Sequence, residues 1–406
     1  MSEWKKVKLG DVVSIKSGLS YKSEFLGKGD NLLLGMGCVS FKDSFVESGV
    51  RPYSQDCDPR YLAAPGDLVL ATRQQSDNLP ILAMPAIIPE KYRGKKIIIG
   101  TNLYKVENNS DIDNRFLFFV LKGREYVNYI RGVKTGTTVQ MVSKRNVEEF
   151  QFLCPPRQTR EKIVAILSRY DTLIENYQKQ IKLLEEAAQR LYKEWFVELR
   201  FPGHENTKMV DGLPEGWERK KVGEIGKVIT GKTPSTANKE NYGGRIPFIT
   251  IPDMHTGIYP TSSQYLSDLG ANSQSGKFIP VNSLMVSCIG TTGLVCITKE
   301  KCQTNQQINS LVLNDISLLY YMYNTFLSLK EHLNNIGSNG ATMTNVNKSK
   351  FENIEVLIPT NSISCLYNAA VKQSFRSIKS LSSQIRLLAE ARDRLLPRLM
   401  GGEMEV

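Results

Sequence analysis

The sequence predicts an α+β protein in which two similar β-rich globular lobes, related by a pseudo-twofold, are joined by two long antiparallel helices paired as an intramolecular coiled coil. Three observations predict it. Residues 136–197 align without gaps on 340–401 at an offset of 204, with 17 identities in 62 positions, where average composition gives roughly four. "WKKVKLGDVVSIKSG" (Trp4 to Gly18) aligns in the same way on "WERKKVGEIGKVITG" (Trp217 to Gly231), at an offset of 213. A strict heptad of apolar residues closes the first copy and recurs in the second.

At 406 residues the chain exceeds one compact domain. The repeat places a first domain at 1–156, a long helix at 157–200, a linker at 201–213, a second domain at 214–360, and a second long helix with the C-terminal tail at 361–406.

Each lobe opens with a strand that ends in a glycine-containing turn, "VSIKSGLS" in the first and "GKVITGKT" in the second. The second octapeptide also fits the phosphate-loop pattern G-x-x-x-x-G-K-[ST]. That loop needs a buried strand before it and a helix after it, whereas the flanks here are the charged "GWERKKVGEI" and the Pro-, Asn- and Gly-containing "PSTANKENYGG". Three consecutive β-branched residues inside the match favour an extended chain. The stretch is therefore read as an opening strand, with Lys232 and Thr233 on the turn after it. Short β-rich runs follow in both lobes: "DLVLAT", "KIIIG" and "NLYKV" in the first, "SLMVSCI", "GLVCIT" and "NSLVL" in the second. Each lobe then has one helical candidate, "NRFLFFVLKGREYVNYI" or "SLLYYMYNTFLSLKEHLNNI", whose aromatic residues are expected to pack on the sheet. A polar loop, "RGVKTGTT" or "GSNGAT", precedes a strand that ends at Pro155 or Pro359.

In the first long helix the seam consists of Ile163, Tyr170, Tyr177, Leu184 and Leu191, with Leu167, Ile174, Ile181, Ala188 and Trp195 four residues later in each heptad. The second copy supplies Tyr367, Ser374, Leu381, Leu388 and Leu395, with Val371, Ile378, Ile385, Arg392 and Leu399. Ser374 and Arg392 interrupt it and are read as facing solvent or another subunit. Pro397 is expected to end or kink its helix. An antiparallel pair is the economical topology, because the second helix comes last in the chain.

Composition narrows the function classes. The formal charge of +11 suggests a polyanionic partner, yet residues 201–360 hold 14 basic against 13 acidic side chains and no segment is a polybasic arm. The N-terminus "MSEWKKVKLG" lacks the apolar core of a secretory signal, and no apolar run spans a bilayer, so a cytoplasmic location is expected. Seven cysteines without a C-x-x-C spacing are read as buried free thiols. Three histidines, His204, His255 and His332, show no metal-ligand spacing. The one Pro-Pro pair, "CPPR", is no adenine-flipping tetrapeptide, and "GMGCVS" opens no helix as a nucleotide-binding turn would. No catalytic constellation emerges, and neither a metal nor a cofactor is expected in this chain.

"KEWFVELRFPGHE" (Lys193 to Glu205), "GLPEGWE" (Gly212 to Glu218) and "LLPRLMGGE" (Leu395 to Glu403) resemble the conserved regions of specificity subunits of type I restriction-modification enzymes. "TNQQI" (Thr304 to Ile308) is similar to a segment of that family's recognition domains, and the first lobe has "TNLYK" (Thr101 to Lys105) in its place. The resemblance spans the whole chain. It implies a non-catalytic reader of double-stranded DNA, in which each target recognition domain reads one half of an interrupted sequence and the helix pair fixes the gap. It also implies two modification subunits, adenine-N6 methyltransferases that bind S-adenosylmethionine, and restriction subunits, motor-nucleases that use ATP and magnesium. Two rival readings stand beside it: an interaction scaffold or DNA mimic that reads no sequence, and a nucleotide-hydrolysing enzyme suggested by the octapeptide alone.

The DNA-reading candidates are polar residues on loops between repeated elements. In the first lobe they are Lys22, Arg73, Gln74, Gln75, Lys134, Thr137 and Thr138; in the second, Lys232, Thr233, Thr291, Thr292, Ser338, Asn339 and Thr342. Arg and Gln make bidentate contacts to base edges, while Lys and Thr more often hold phosphates. Arg73 with Gln74 and Gln75 is the leading group for base readout.

Overall fold

The computed structural model describes residues 4–75, 81–338 and 344–406. They form two compact units, Met1–Ile174 with Leu387–Val406, and Glu175–Arg386. Each unit holds one lobe and a length of both long helices.

In the first unit, Val13–Ser17, Leu103–Asn108, Leu68–Ala71 and Pro85–Ile87 form an antiparallel sheet in that order. Leu68–Ala71 is an unbroken apolar run because it is buried throughout. A second sheet runs Val50–Tyr53, Leu26–Leu34, Ile97–Ile99, Leu62–Ala63, with Ile97–Ile99 parallel to Leu32–Leu34. The second unit repeats the plan: Gly226–Thr230, Ile308–Leu313, Leu284–Ser287 and Val295–Ile297 form the first sheet, and Gln264–Leu266, Tyr242–Ile249 and Gln303–Thr304 the second. In each unit a short charged strand closes on the strand before the long helix: Lys5–Lys8 on Gln151–Cys154, and Glu218–Lys221 on Glu355–Ile358.

The hydrogen-bond register corrects one alignment. Ile99 lies beside Leu34 as Thr304 lies beside Ile249, and the amides of Gly18 and Gly231 donate to Leu103 O and Ile308 O, both at 3.0 Å. Thr304–Ile308 therefore corresponds to Ile99–Leu103, two residues earlier than "TNLYK", and Gln306 and Gln307 correspond to Thr101 and Asn102.

Gly18 and Gly231 recur for a steric reason: a Cβ at either would sit 2.1 Å from a backbone oxygen, that of Gly100 or of Asn305. The octapeptide is thereby explained. Gly226–Thr230 pairs along its whole length with Leu313–Asn309, and the Lys232 amide donates to Thr304 O at 2.9 Å. Extended and paired, this backbone makes no phosphate nest.

Two helical expectations need correction. The first candidate breaks at Gly123, whose extended backbone (ψ 149°) separates Asn114–Lys122 from Arg124–Val133. The second breaks at Leu329, between Leu319–Ser328 and Lys330–Ser338. Their apolar faces do enter the cores, Phe116, Leu117 and Leu121 in one unit and Met322 and Phe326 in the other.

The long helices run Arg157–Tyr192 and Asn361–Met400, 36 and 40 residues, and the first continues through a π-helical turn, Lys193–Val197. In the first unit Ile163 and Leu167 share a core with Leu395, Leu396 and Leu399. In the second, Ile181, Leu184, Ala188 and Leu191 share one with Tyr367, Val371, Phe375 and Ile378, and Tyr367 Oη donates to Ala188 O at 3.1 Å. The start of each helix packs against the end of the other, so the pair is antiparallel, and all twenty seam positions are buried or half-buried. Each fully buried aliphatic or aromatic side chain stabilises by about 1.5–3 kcal/mol relative to exposure.

Neither seam interruption faces solvent. Ser374 is half-buried, and Arg392 turns inward to Asp171 of the first helix, Nη1 to Oδ1 at 2.6 Å, with side chains 14% and 8% exposed. Pro397 does not end its helix; it sits in the last turn, and the helix continues to Met400.

Candidate nucleic-acid interface

In the first lobe, the buried strand Leu68–Ala71 delivers Arg73–Gln74, which pairs antiparallel with Gln140–Met141. Thr135 and Met141 exchange both backbone bonds, at 2.9 and 2.8 Å. The tight loop between them needs Gly136, at φ 89°, where a Cβ would meet Val139 O at 2.2 Å. This pairing brings Arg73, Gln74, Lys134, Thr137 and Thr138 to one edge. Gln74 is only 4% exposed, and its amide is engaged at both ends: Nε2 donates to Gln140 Oε1 at 2.7 Å and Oε1 accepts from the Leu82 amide at 2.9 Å. It braces the edge, and its amide is turned inward rather than toward solvent, contrary to expectation. Lys134 Nζ also donates to Gln140 Oε1, at 3.1 Å. Arg73 is half-buried, and its Nε is buried without a hydrogen-bond partner among the described residues. Gln75, Thr137 and Thr138 are exposed. Lys22 lies before the turn Ser23–Phe25, exposed and 3.9 Å from Glu24, with no bond to this edge among the described residues.

The second lobe has the same bridge. Leu284–Ser287 leads to Ile289, which pairs antiparallel with Asn345, and the Gly290 amide donates to Thr344 O at 3.1 Å. Ile289 thus stands where Arg73 does, and Asn345 where Met141 does. Thr291 is exposed, but Thr292 is 5% exposed, with its Oγ1 buried and without a hydrogen-bond partner among the described residues, so it leaves the set of readers. Lys232 is exposed on its turn, and Thr233 Oγ1 donates to Gln306 Oε1 at 2.6 Å. Gln307 Oε1 accepts from Asn305 Nδ2 at 3.0 Å, and its Nε2 donates to Ile289 O at 3.4 Å. Ser338, exposed at a helix end, donates to Asn334 O at 2.6 Å. Asn339 and Thr342 lie outside the described residues.

Three residues that sequence reasoning did not select organise these edges. Gln140 joins Gln74 to Lys134, and Gln306 and Gln307 connect the Lys232–Thr233 turn with the Ile289 loop. "TNQQI" carried the signal for the glutamines; Gln140 follows the polar loop by two residues. Beneath the second edge, burial pushes the Cys288 thiol up to about 12, which leaves it unreactive. Guanidinium, amide and hydroxyl groups at these edges suit hydrogen bonding to base edges and phosphates.

The family model of the type I restriction modification DNA specificity domain matches residues 1–186 and 214–389. This chain belongs to that family. The HindI specificity subunit of Haemophilus influenzae is 32% identical over 376 residues, covering 76% of this chain and 81% of that protein. The MjaIX specificity subunit of Methanocaldococcus jannaschii is 27% identical over 303 residues, covering 72% and 69%. The crystal structure of the type I restriction-modification S subunit from M. genitalium superposes with a TM-score of 0.57 over 98% of this chain and 96% of that one, at 13% identity, and shares its fold. The specificity subunit described here has a DNA sequence-specificity role and is not itself an enzyme; membership does not favour the scaffold reading. Among the described residues no helix is long and apolar enough to cross a membrane.

Proposed function

We propose that each lobe reads one half of an interrupted, asymmetric DNA sequence through the edge described above, and that the two long helices set the gap between the halves. The domains 1–156 and 214–360 do the reading, 157–200 and 361–406 the measuring, and 201–213 links them. Arg73 contacts a base edge in one half-site, on the strand that Gln140 braces through Gln74; Gln306 does so in the other, with Gln307, bonded to Asn305 and Ile289, holding its loop. Gln75, Thr137, Thr138, Lys134, Lys22, Lys232, Thr233, Thr291 and Ser338 hold phosphates or neighbouring bases. Two adenine-N6 methyltransferase subunits, carrying S-adenosylmethionine, are positioned by this chain on the sequence, and motor-nuclease subunits, using ATP and magnesium, join them.

The observation that carries the reading is one strand-to-loop bridge built twice with different side chains, Arg73 opposite Met141 and Ile289 opposite Asn345. A shared scaffold with different edge chemistry suits two unlike half-sites. Insertion of one heptad into both long helices tests it: mapped methylated adenines show a longer gap and unchanged half-sites. Altered half-sites at an unchanged gap refute it.

A further inference from the structure

Away from that edge, the first unit contains a cavity of about 520 Å³, within the roughly 300–1,000 Å³ of pockets that take specific ligands. Phe118, Phe119 and Val127 from the two short helices meet Leu396 and Pro397 from the end of the second long helix, giving it an apolar floor. Phe41 stands at its wall 49% exposed.

Two cations in the wall are already satisfied. Lys122 Nζ donates to the carbonyl oxygens of Ser40, Phe41 and Asp43 at 2.8, 2.8 and 3.0 Å. Arg392 holds Asp171 at 2.6 Å and Asp393 at 2.8 Å. Burial, with the repulsion of Arg392, lowers the Lys122 pKa to about 8, so the loop at 40–43 is held in place at an electrostatic cost. Three further cations line the cavity, Lys42, Arg124 and Arg131. All three are exposed, and none has a side-chain partner among the described residues.

The repeat does not preserve this feature. At the offset of 204, Asp171 corresponds to Phe375 and Arg392 to Ala188. In the second unit Phe375 stacks on Tyr320 at 4.1 Å, and Ala188 lies in a core shared with Tyr321 and Tyr367. Aromatic packing there takes the place of the ion pair.

We infer that this cavity docks a protein segment carrying an apolar side chain flanked by carboxylates, from a subunit that binds there once per chain. The floor calls for an apolar knob, and the unpaired cations call for negative charge beside it. Duplex DNA offers the charge but not the knob, because its apolar groups, the thymine methyls, lie within the groove. A site whose ion pair has no counterpart at the equivalent positions of the other lobe fits a partner that treats the lobes differently. The inference rests on the proposed association with protein subunits and is independent of which bases are read.

The test uses the full chain, the purified methyltransferase and motor-nuclease subunits, and duplex DNA. One variant combines Lys42→Glu, Arg124→Glu and Arg131→Glu; another, Val127→Trp, fills the cavity without changing charge. Native mass spectrometry counts bound subunits, and titration gives affinities. Both variants are expected to weaken one protein partner tenfold or more and to remove one copy of it, with thermal unfolding, DNA affinity and its salt dependence unchanged. Unchanged binding of both proteins overturns the inference, as does a loss confined to the charge-reversed variant. A salt slope for DNA reduced by about three would assign the cations to phosphates and overturn it too. A wild-type chain that bound DNA but neither protein would refute the association itself, and this inference with it.

Discussion

Replacing Asp171 by alanine leaves the Arg392 guanidinium inside the helix pair without its closest partner. The two side chains are 8% and 14% exposed and meet at 2.6 Å. Burial opposes the guanidinium charge, but the bonds to Asp171 and Asp393 outweigh it and hold the Arg392 pKa above the ordinary arginine value. Breaking such a pair costs about 3–5 kcal/mol, because one charge stays buried and unpaired. Asp393, 62% exposed, still accepts from Nε and Nη2 at 3.0 and 2.8 Å, so the lower end applies, about 3 kcal/mol. For a unit of roughly 200 residues that lowers Tm by about 6–12 °C. The second unit supplies the compensating change, since its equivalents are Phe375 and Ala188. Asp171→Phe combined with Arg392→Ala should therefore be near neutral, as apolar replacements of buried pairs often are. Thermal and urea unfolding of wild type, both single variants and the double closes a double-mutant cycle, with the transition of each unit followed separately. A coupling of about 2–3 kcal/mol is expected. Single variants each costing under about 1 kcal/mol, with no coupling, would mean that the pair behaves as a surface ion pair and would refute the reasoning.

Glycine substitutions separate close approach from helix propensity. Gly231→Ala drives a Cβ to 2.1 Å from the Asn305 carbonyl oxygen and should cost more than about 2 kcal/mol, while Gly132→Ala, helical and with nothing within 4 Å, should stabilise by up to about 1 kcal/mol; urea midpoints decide, and equal effects would contradict the steric account. Lys122 has a folded pKa of about 8, below the unfolded value of about 10.4. Between those values the unfolded chain holds the extra proton, so this residue makes stability rise with pH, and its contribution is constant below about 8. In Lys122→Met that rise disappears, which unfolding at pH 7 and pH 10 measures; stabilities of variant and wild type running parallel over that window would refute it.

Much of this was legible because it is written in side-chain order. The heptads fixed the seam from Ile163 to Leu399, and the two alignments fixed the lobes. Less legible were the long strands Leu26–Leu34 and Tyr242–Ile249. Their glycines resemble turn signals, but Gly27, Gly29 and Gly243, at φ 76°, 80° and 84°, lie where the pairing with the neighbouring strand shifts register. Letter similarity set "TNLYK" against "TNQQI", whereas register is decided by which amide meets which carbonyl. Arg73 and Gln74 illustrate the limit at the site itself. Neighbours in a strand point to opposite faces, so one of them had to turn inward, and only the pairing with Gln140 reveals that it is Gln74. Arg392 read as a break in the seam because its partner, Asp171, lies 221 residues away.

The central claim is that two equivalent edges of different chemistry read two separate half-sites. Genome-wide mapping of methylated adenines in cells carrying the wild-type or the Arg73→Ala chain, each with its methyltransferase, tests it most directly. The account predicts an interrupted sequence for the wild type, and for Arg73→Ala a loss of discrimination worth about 1–3 kcal/mol at one position of one half-site, with the other half-site and the gap unchanged. Relaxation of both half-sites together, or no change in either, would contradict it.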